Sequence, residues 1–311
     1  MSRIYEALQR ADLERQAAPE FSVPVFERDS VAEPAVMTGI EEPPPAKADV
    51  VLEQIEQHPW SPVLGSFPTL AERGAGVEQF RSLRSRMYQH RYEAPLKTIL
   101  ICSGMPAEGK SFITANLAMS LARDSVNNIL LIDGDLRRPS LHNLLGAPNS
   151  PGLTEYLAGT ADLNSILQRD RSPLNTENGS ARNFANLTFI PSGKCGDNSS
   201  ELVANHRMEE LIATLAPHFD WILIDSPPVL AVTDAVDLAR AADAVLLIAR
   251  GASTPYDVAQ RTQAAFANSR VLGFVLNDVK DAPRRGSYYY YYGGPEASGN
   301  GKRQKDHGPQ G

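Results

Sequence analysis

The chain has 311 residues, enough for one large domain or two ordinary ones, and its 42% hydrophobic and 22% charged residues are typical of a globular protein with a sizeable core. Its longest wholly aliphatic run, residues 244–249, is far too short to cross a bilayer, and the N-terminus lacks the apolar stretch of a secretion signal. The net charge of −7 argues against a nucleic-acid partner, and the two cysteines exclude a disulfide scaffold and fit a reducing cytosol.

The first part of the sequence predicts a short helix followed by a linker. Residues 1–16 form the predicted amphipathic helix, because apolar side chains recur there at helical spacing: Ile4, Ala7, Leu8 and Ala11. Two interpretations of this helix stay open, a frayed terminus or a docking element for a partner or a membrane surface. Residues 17–74 are acidic and rich in proline, so we predict a linker there.

From residue 75 onward the pattern is typical of a parallel sheet with helices on both faces. An arginine-rich helical pattern over 77–92 comes first. Short apolar runs then predict strands at 98–102, 128–132, 187–190, 221–224, 244–248 and 271–276. Helical patterns alternate with them at 111–123, 201–215, 233–241 and 255–266. This alternation predicts an α/β fold with a mostly parallel sheet over residues 75–280, and the polar stretch 170–186 predicts a surface loop.

A phosphate-binding loop follows the first predicted strand. The pattern GxxxxGK[ST] is matched by Gly104, Met105, Pro106, Ala107, Glu108, Gly109, Lys110 and Ser111. Glycines let backbone N–H groups converge on phosphate oxygens, and the N-terminus of the helix that follows adds partial positive charge. We expect Lys110 to reach the β- and γ-phosphates of a nucleotide and the Ser111 hydroxyl to ligate Mg²⁺. The structural alternative is a tight turn before a helix.

Aspartates end two of the predicted strands and supply candidate metal ligands. Asp133 ends the run ILLID, and Asp225 ends the run WILID. Ligands of open α/β sheets bind at the carboxyl ends of the strands, so both carboxylates are expected to face the phosphate loop. A single aspartate at such a place is often a turn former or a helix cap. For Asp135 that alternative, capping the turn before Arg137, stays open.

Five consecutive tyrosines lie near the C-terminus: Tyr288, Tyr289, Tyr290, Tyr291 and Tyr292. They lack the alternation of a core strand and are flanked by glycine-rich and arginine-rich sequence, so residues 281–311 are predicted to be a disordered tail. Exposed aromatic side chains in such a tail need a reason, and a phenol can accept a phosphoryl group. An aggregation-prone run and a tail that stacks on the domain are the alternatives.

Together these features resemble the bacterial tyrosine kinases (BY-kinases) of polysaccharide assembly. The resemblance covers roughly residues 76–292 and rests on the phosphate loop, the segments IDGDLRRP and IDSPP, and the tyrosine cluster. It extends to Glu78, Arg81 and Arg84, which match the ExxRxxR oligomerisation motif of that family. The start, MSRIYEALQRA, is also similar to the N-termini of tyrosine autokinases tied to exopolysaccharide systems.

The resemblance implies a role for each candidate residue. In that family the phosphate loop is Walker A, the IDGD segment is Walker A′ and the IDSPP segment is Walker B. Carried over, Lys110 and Ser111 bind ATP with Mg²⁺, Asp225 holds Mg²⁺, and Phe112 completes the nucleotide-binding set. Asp133 and Asp135 hold the metal or assist the tyrosine hydroxyl. The catalytic set is therefore Lys110, Asp133 and Asp135, and the metal set is Ser111, Asp133 and Asp225.

The sequence departs from the family pattern at two places. Ala107 stands where the family commonly has glycine, and Asp197, Asn198 and Ser199 replace a proline-rich turn. Many members also carry a membrane-spanning chain-length domain that this sequence lacks. The resemblance therefore implies a separate membrane-spanning activator, a ring-like homo-oligomer, and a cytoplasmic protein held at the inner face of the cell membrane through that partner.

The function that we expect is an ATP-dependent protein-tyrosine autokinase that phosphorylates its own tyrosine cluster and regulates exopolysaccharide polymerisation or export. A positioning ATPase of the ParA/MinD type is one alternative. Those proteins carry a lysine just after the first glycine of the loop, where this sequence has Met105. A non-catalytic, nucleotide-switched scaffold of a polysaccharide export complex is another alternative, because binding and transfer use the same residues.

Overall fold

A computed structural model describes residues 55–71, 73–124, 126–171, 174–175, 181–182, 186–194, 199–204 and 206–279. Its strands are β1 (Glu56–His58), β2 (Thr98–Ser103), β3 (Ile129–Asp133), β4 (Gln168–Asp170), β5 (Leu174–Asn175), β6 (Ala181–Arg182), β7 (Leu187–Ile190), β8 (Trp221–Asp225), β9 (Ala244–Arg250) and β10 (Val271–Asn277). Its α-helices are α1 (Ala75–Glu93), α2 (Lys110–Ala122), α3 (Leu141–Leu145), α4 (Leu153–Leu157), α5 (Leu163–Ile166), α6 (Ser199–Val203), α7 (Arg207–Leu215), α8 (Asp234–Leu238) and α9 (Tyr256–Ala264).

Eight of these strands form one sheet in the order β1-β4-β7-β3-β8-β2-β9-β10. Every neighbouring pair is parallel except β4 with β7, so the predicted α/β fold with a mostly parallel sheet is confirmed. The remaining two strands, β5 and β6, pair with each other. None of the helices in the described part of the chain combines the length and the apolarity that a membrane crossing requires.

The central strands are apolar along their whole length because both faces of the sheet are covered. Successive side chains of a strand point to opposite faces, so Leu100 packs in one apolar layer while Ile99 and Ile101 pack in the other. Helices α7 and α8 contribute to the first layer, and helix α2 contributes to the second. This double cover leaves the carboxyl ends of the strands as the open edge where side chains can meet a ligand.

The six predicted strands are confirmed as β2, β3, β7, β8, β9 and β10, with ends that differ by one or two residues. The helix predicted over 201–215 is two helices, α6 and α7, and the one predicted over 233–241 is α8 followed by a short 3₁₀ turn, Ala239–Ala241. The sequence analysis missed helices α3, α4 and α5, since each has only four or five residues and shows too few turns for a period to be visible.

The far edge of the sheet lies where the sequence predicted no strand. Strand β4 consists of three polar residues, and its last residue, Asp170, is the first residue of the predicted loop 170–186. That predicted loop also contains β5 and β6. The polar side chains of β4 are bonded to neighbouring segments. Asp170 accepts a hydrogen bond from the Trp60 backbone N–H at 3.1 Å, and Arg169 donates to the Thr188 hydroxyl at 2.9 Å. A short polar strand of this kind, which lies between β1 and β7, has no apolar alternation from which to predict it.

Packing against the sheet begins at residue 55, well inside the range 17–74 that the sequence assigned to a linker. Ile55, Trp60, Phe67 and Leu70 are buried. The Trp60 ring meets Phe189 of β7 edge to face, with 6.1 Å between the ring centroids. These apolar side chains are separated by prolines and polar residues without a helical or strand period, which is why they did not signal a folded segment. The predicted helix 1–16 and the predicted tail 281–311 lie outside the described residues.

The packing of residue 67 predicts a large loss of stability on truncation. Phe67 lies between the 3₁₀ turns Leu64–Ser66 and Pro68–Leu70 and is 2% exposed, whereas Leu64 is 48% exposed. We expect Phe67→Ala to lower the free energy of unfolding by about 3–5 kcal/mol, because it leaves a cavity in the core. The control Leu64→Ala is expected to cost less than about 1 kcal/mol. Equal effects of both substitutions in urea unfolding would show that this segment is not part of the core.

Candidate functional site

The order of the strands brings the predicted site residues together. Strand β8 lies between β2 and β3, and Asp225 at its end is in register with Asp133 on one side and with Ile101 on the other. The phosphate loop follows β2 directly and opens helix α2 at Lys110. The two strand-end aspartates and the start of α2 therefore meet at one edge of the sheet, as the sequence predicted.

Close packing and unusual backbone angles explain both glycines of the loop. Gly104 lies so close to Thr262 of α9 that a Cβ would stand 2.2 Å from the threonine hydroxyl oxygen. Gly109 has φ of +92°, and a Cβ there would meet the Asn277 side chain at 2.0 Å. Ala107 also has a positive φ, 63°, at the position where the resemblance led us to expect glycine. An alanine in the left-handed region carries a steric cost that a glycine does not.

Lys110 is the cation at the centre of the site. Its Nζ donates to Asp135 Oδ2 at 2.9 Å and lies 3.6 Å from Asp225 Oδ2. The Ser111 hydroxyl donates to the same Asp225 oxygen at 2.5 Å, and the Thr114 hydroxyl lies 3.4 Å from the other one. Lysine, serine and the strand-end carboxylate thus converge on one point at the start of α2.

The two aspartates of the IDGD segment have different surroundings. Both oxygens of Asp133 accept backbone N–H groups, one from Asp135 at 3.3 Å and the other from Ser140 and Leu141 at 3.1 and 3.0 Å. Asp133 therefore holds the turn that leads into α3, which is the turn-forming role that the sequence analysis treated as its alternative. Asp135 caps the turn too, by accepting the Arg138 N–H at 3.0 Å, but it also binds Lys110 and lines the open cleft.

Burial and the crowding of carboxylates around one cation shift the pKa values of this site. Burial raises the pKa of Asp133 to about 8, and the neighbouring Asp225 carboxylate adds to the rise. Burial also raises the pKa of Asp225, against the lowering effects of Lys110 and the Ser111 hydroxyl. Burial opposes the charge on Lys110, but the carboxylates of Asp225 and Asp135 outweigh it and raise the pKa of the lysine. The lysine is therefore held as a cation among acids that lack sufficient positive charge.

A cleft of about 660 Å³ opens in front of this cluster. Its walls come from the phosphate loop, from the segment after β3 and from the segment after β8, and the lining residues include Ala107, Lys110, Phe112, Asp135, Arg138 and Pro228. Residues from each of the three predicted motifs therefore share one cavity. Among the described residues, no group of three or more His, Cys, Asp or Glu side chains is arranged to bind a metal ion on its own.

The sequence analysis missed three polar residues that contact the loop. Thr114 donates to the Lys110 carbonyl at 2.8 Å, and its position one helical turn after Lys110 could have signalled it. Asn277 donates to the Glu108 carbonyl at 3.0 Å, and its place at the end of β10 follows the same rule that singled out Asp225. Thr254 donates to the Glu108 carboxylate from a loop after β9, where no sequence pattern indicates such a contact.

The proposed oligomerisation residues have partners within the chain. Glu78 and Arg81 form an exposed ion pair on α1 at 2.7 Å, and Arg84 donates to the Ser120 carbonyl of α2 at 2.6 Å. The stripe formed by these three residues therefore has partners within its own chain. Its role between subunits stays a prediction, as does the role of the five tyrosines, which lie outside the described residues.

The positive φ of Ala107 predicts an unusual response to glycine. We expect Ala107→Gly to leave the free energy of unfolding unchanged or to raise it by up to about 1 kcal/mol, because relief of the left-handed strain offsets the entropy of the glycine. The control Ala213→Gly, on the exposed face of α7, is expected to cost about 1 kcal/mol. An equal loss in both variants on thermal unfolding would rule out strain at residue 107.

Comparisons with known proteins identify the family to which the chain belongs. No family profile matches the chain. The chain is 34% identical over 220 residues to a tyrosine-protein kinase of Acinetobacter johnsonii, a match that covers 69% of this chain and 28% of that protein. The chain thus spans little more than a quarter of that relative, and its matches to other curated tyrosine kinases, among them one of Escherichia coli, cover a similar share.

Solved structures show the same relationship over a single domain. The kinase domain of the Escherichia coli tyrosine kinase ETK superposes with a TM-score of 0.59 at 32% identity, covering 70% of this chain and 81% of that one. The BceF tyrosine kinase domain superposes with a TM-score of 0.54 at 31% identity, covering 68% and 81%. Because the match spans most of these isolated domains and includes the fold that carries the cleft, the chain belongs to the bacterial tyrosine kinase family.

Proposed function

We propose that the protein is an ATP-dependent protein-tyrosine autokinase that phosphorylates its C-terminal tyrosine cluster. The observation that carries this proposal is the convergence of Lys110, Ser111 and Asp225 at the start of α2, in front of a cleft large enough for a nucleotide. Membership of the tyrosine kinase family supports the choice of tyrosine as acceptor. Regulation of exopolysaccharide polymerisation or export is proposed with it, on the resemblance to the kinases of those systems.

Nucleotide phosphates fit the loop by charge and by geometry. Backbone N–H groups at the start of a helix and the positive end of its dipole favour a phosphate there. Lys110 already reaches across this space to Asp135, 2.9 Å away, so its ammonium group can bind phosphate oxygens by a small change of side-chain position. An ammonium held there neutralises charge that grows on a phosphoryl group during transfer.

The donor set also fits Mg²⁺ that is bound together with ATP. Magnesium prefers oxygen ligands and is often held by one or two protein groups together with substrate phosphates. Ser111 Oγ and Asp225 Oδ2 lie 2.5 Å apart and would supply those ligands. Burial raises the pKa of the Asp225 carboxyl, and a divalent cation held there would favour its charged form. Bound there, the ion neutralises phosphate charge. Asp133, whose oxygens accept backbone N–H groups, would support the site from behind.

Asp135 is the residue that we propose to accept the proton of the tyrosine hydroxyl. The phenol has a pKa of about 10, so its proton must leave as the phosphoryl group arrives. Asp135 lines the cleft, whereas both oxygens of Asp133 accept backbone N–H groups. Once Lys110 binds phosphate, the Oδ2 atom of Asp135 is released to accept a proton. The sequence left open whether Asp133 or Asp135 accepts the proton of the tyrosine hydroxyl, and these contacts favour Asp135.

The acceptor and the assembly belong to the same proposal. Tyr288 to Tyr292 follow the last described residue, Val279, by about ten positions, so a tail that begins at the sheet edge can reach the cleft of a neighbouring copy. A ring-like homo-oligomer with contacts through Arg81 would bring such clefts together. The resemblance further supports a separate membrane-spanning activator and a location at the inner face of the cell membrane.

Loss of Lys110 is the direct test of phosphoryl transfer. The purified chain, incubated with labelled ATP and Mg²⁺, is expected to acquire phosphotyrosine in the tail, as located by mass spectrometry. In Lys110→Met the initial rate is expected to fall by at least about 100-fold, because the charge that stabilises the transferring phosphoryl group is gone. Circular dichroism controls for folding. Transfer at the unsubstituted rate by pure Lys110→Met protein would contradict the proposal.

A tail variant separates transfer from nucleotide binding. Replacing Tyr288 to Tyr292 with phenylalanine keeps the apolar bulk and removes the acceptor, so this variant is expected to bind ATP normally and to carry no tail phosphate. Phosphate on Tyr88, Tyr92 or Tyr156 instead would contradict the choice of acceptor. An unsubstituted chain that binds ATP and never carries phosphotyrosine would favour the nucleotide-switched scaffold.

A further inference from the structure

A buried carboxylate lies inside the phosphate loop, on the side away from the cleft. Glu108 is 3% exposed, and its Oε2 atom accepts the Met105 backbone N–H at 2.7 Å. Its Oε1 atom accepts the hydroxyl of Thr254. In the part of the chain that the structure describes, no lysine or arginine forms an ion pair with it. Hydrogen bonds must therefore offset the cost of burying this acid.

The proton of the Thr254 hydroxyl is committed to Glu108. The Arg250 backbone N–H donates to Thr254 Oγ1 at 2.8 Å, so that contact uses a lone pair of the hydroxyl oxygen. A threonine hydroxyl has a single proton, and with Arg250 acting as donor that proton is directed to the Glu108 carboxylate. The loop after β9 thus holds Glu108 through one side-chain contact of fixed direction.

The contact with Thr254 determines the direction in which the Glu108 carboxylate points. Ala107 and Gly109, on either side of Glu108, line the cleft, while the Glu108 carboxylate is turned back toward Thr254. Without the hydroxyl, the carboxylate has lost one of its two donors. Its remaining donor is the Met105 N–H, at the beginning of the loop, and a carboxylate held by that contact alone can turn toward the N–H groups at the start of α2, which are the groups that bind phosphate. A carboxylate that moves toward them competes with phosphate and repels it.

We infer that Thr254 is a positioning residue for nucleotide binding, which acts by holding the Glu108 carboxylate away from the phosphate-binding N–H groups. The inference rests on the proposed nucleotide-binding function and adds a residue outside the phosphate loop to it. Thr254 touches neither the nucleotide nor the reacting atoms in this account, and its whole effect passes through Glu108.

The test measures ATP affinity by calorimetry in a double-mutant cycle. Thr254→Val keeps the shape of the side chain and removes the hydroxyl, so ATP is expected to bind roughly tenfold more weakly. Thr254→Ser restores the hydroxyl and is expected to restore the affinity. In a Glu108→Gln background, where the charge is gone, Thr254→Val is expected to change the affinity less than about twofold. The control is Thr214→Val, which removes a threonine hydroxyl that donates to the Glu210 carbonyl on α7.

Each outcome bears on one part of the account. An affinity of Thr254→Val within about twofold of the unsubstituted chain would overturn the positioning role and leave the kinase proposal standing. An equal loss in the Glu108→Gln background would also overturn it, because Thr254 would then act by another route. Equal melting temperatures of Thr254→Val and Thr254→Ser would show that the loss is not one of folding. If the unsubstituted chain binds no ATP, the proposed function fails, and the positioning role fails with it.

Discussion

The structure of the site depends on how one partly buried lysine is shared among three carboxylates. Lys110 binds Asp135 and lies close to Asp225, while Asp133 stands in register beside Asp225 on the next strand. Burial raises the pKa values of Asp133 and Asp225, the neighbouring carboxylates add to the rise, and the single ammonium only partly opposes it. The site is thus built with a shortage of positive charge at the point where a divalent cation would be held, beside a loop of N–H groups that favours anions. Both features suit a metal–nucleotide complex better than either ion alone.

The strand order confines the shortage of positive charge to one place in the structure. Insertion of β8 between β2 and β3 puts the phosphate loop and both strand-end aspartates at neighbouring positions of one edge. The loop itself is held from behind by the ends of β9 and β10, through Thr254 and Asn277. Four side chains that end or follow four different strands, Asp135, Asp225, Thr254 and Asn277, therefore contact a loop motif whose own backbone includes a left-handed alanine, Ala107. The candidate functional residues of this fold lie at the carboxyl ends of the strands, and the two apolar layers hold those strand ends in place.

The sequence predicted the parts of this arrangement that have a strong local pattern. The phosphate loop, the strand-end position of Asp225 and the parallel sheet follow from spacing and from apolar runs. The hydrogen-bond partner of Arg84 could not be predicted from such patterns, because the acceptor is the backbone carbonyl of Ser120, which is distant in the sequence. The packing of Phe67 and the contact of Thr254 were missed for the same reason: each depends on a tertiary neighbour and leaves no period or motif. The two contacts of Asp135, with the Arg138 N–H in a turn and with Lys110, could be seen only in the three-dimensional structure.

The most direct measurement of the central claim is the dependence of ATP affinity on Mg²⁺ with and without the Asp225 carboxylate. We expect Mg²⁺ to strengthen ATP binding to the unsubstituted chain by about tenfold or more and to strengthen binding to Asp225→Asn by less than about threefold. Asp237→Asn, which alters an aspartate paired with Arg240 on the surface, should respond to Mg²⁺ as the unsubstituted chain does. An equal gain from Mg²⁺ in Asp225→Asn and in the unsubstituted chain would contradict the claim that this cluster is completed by the cation.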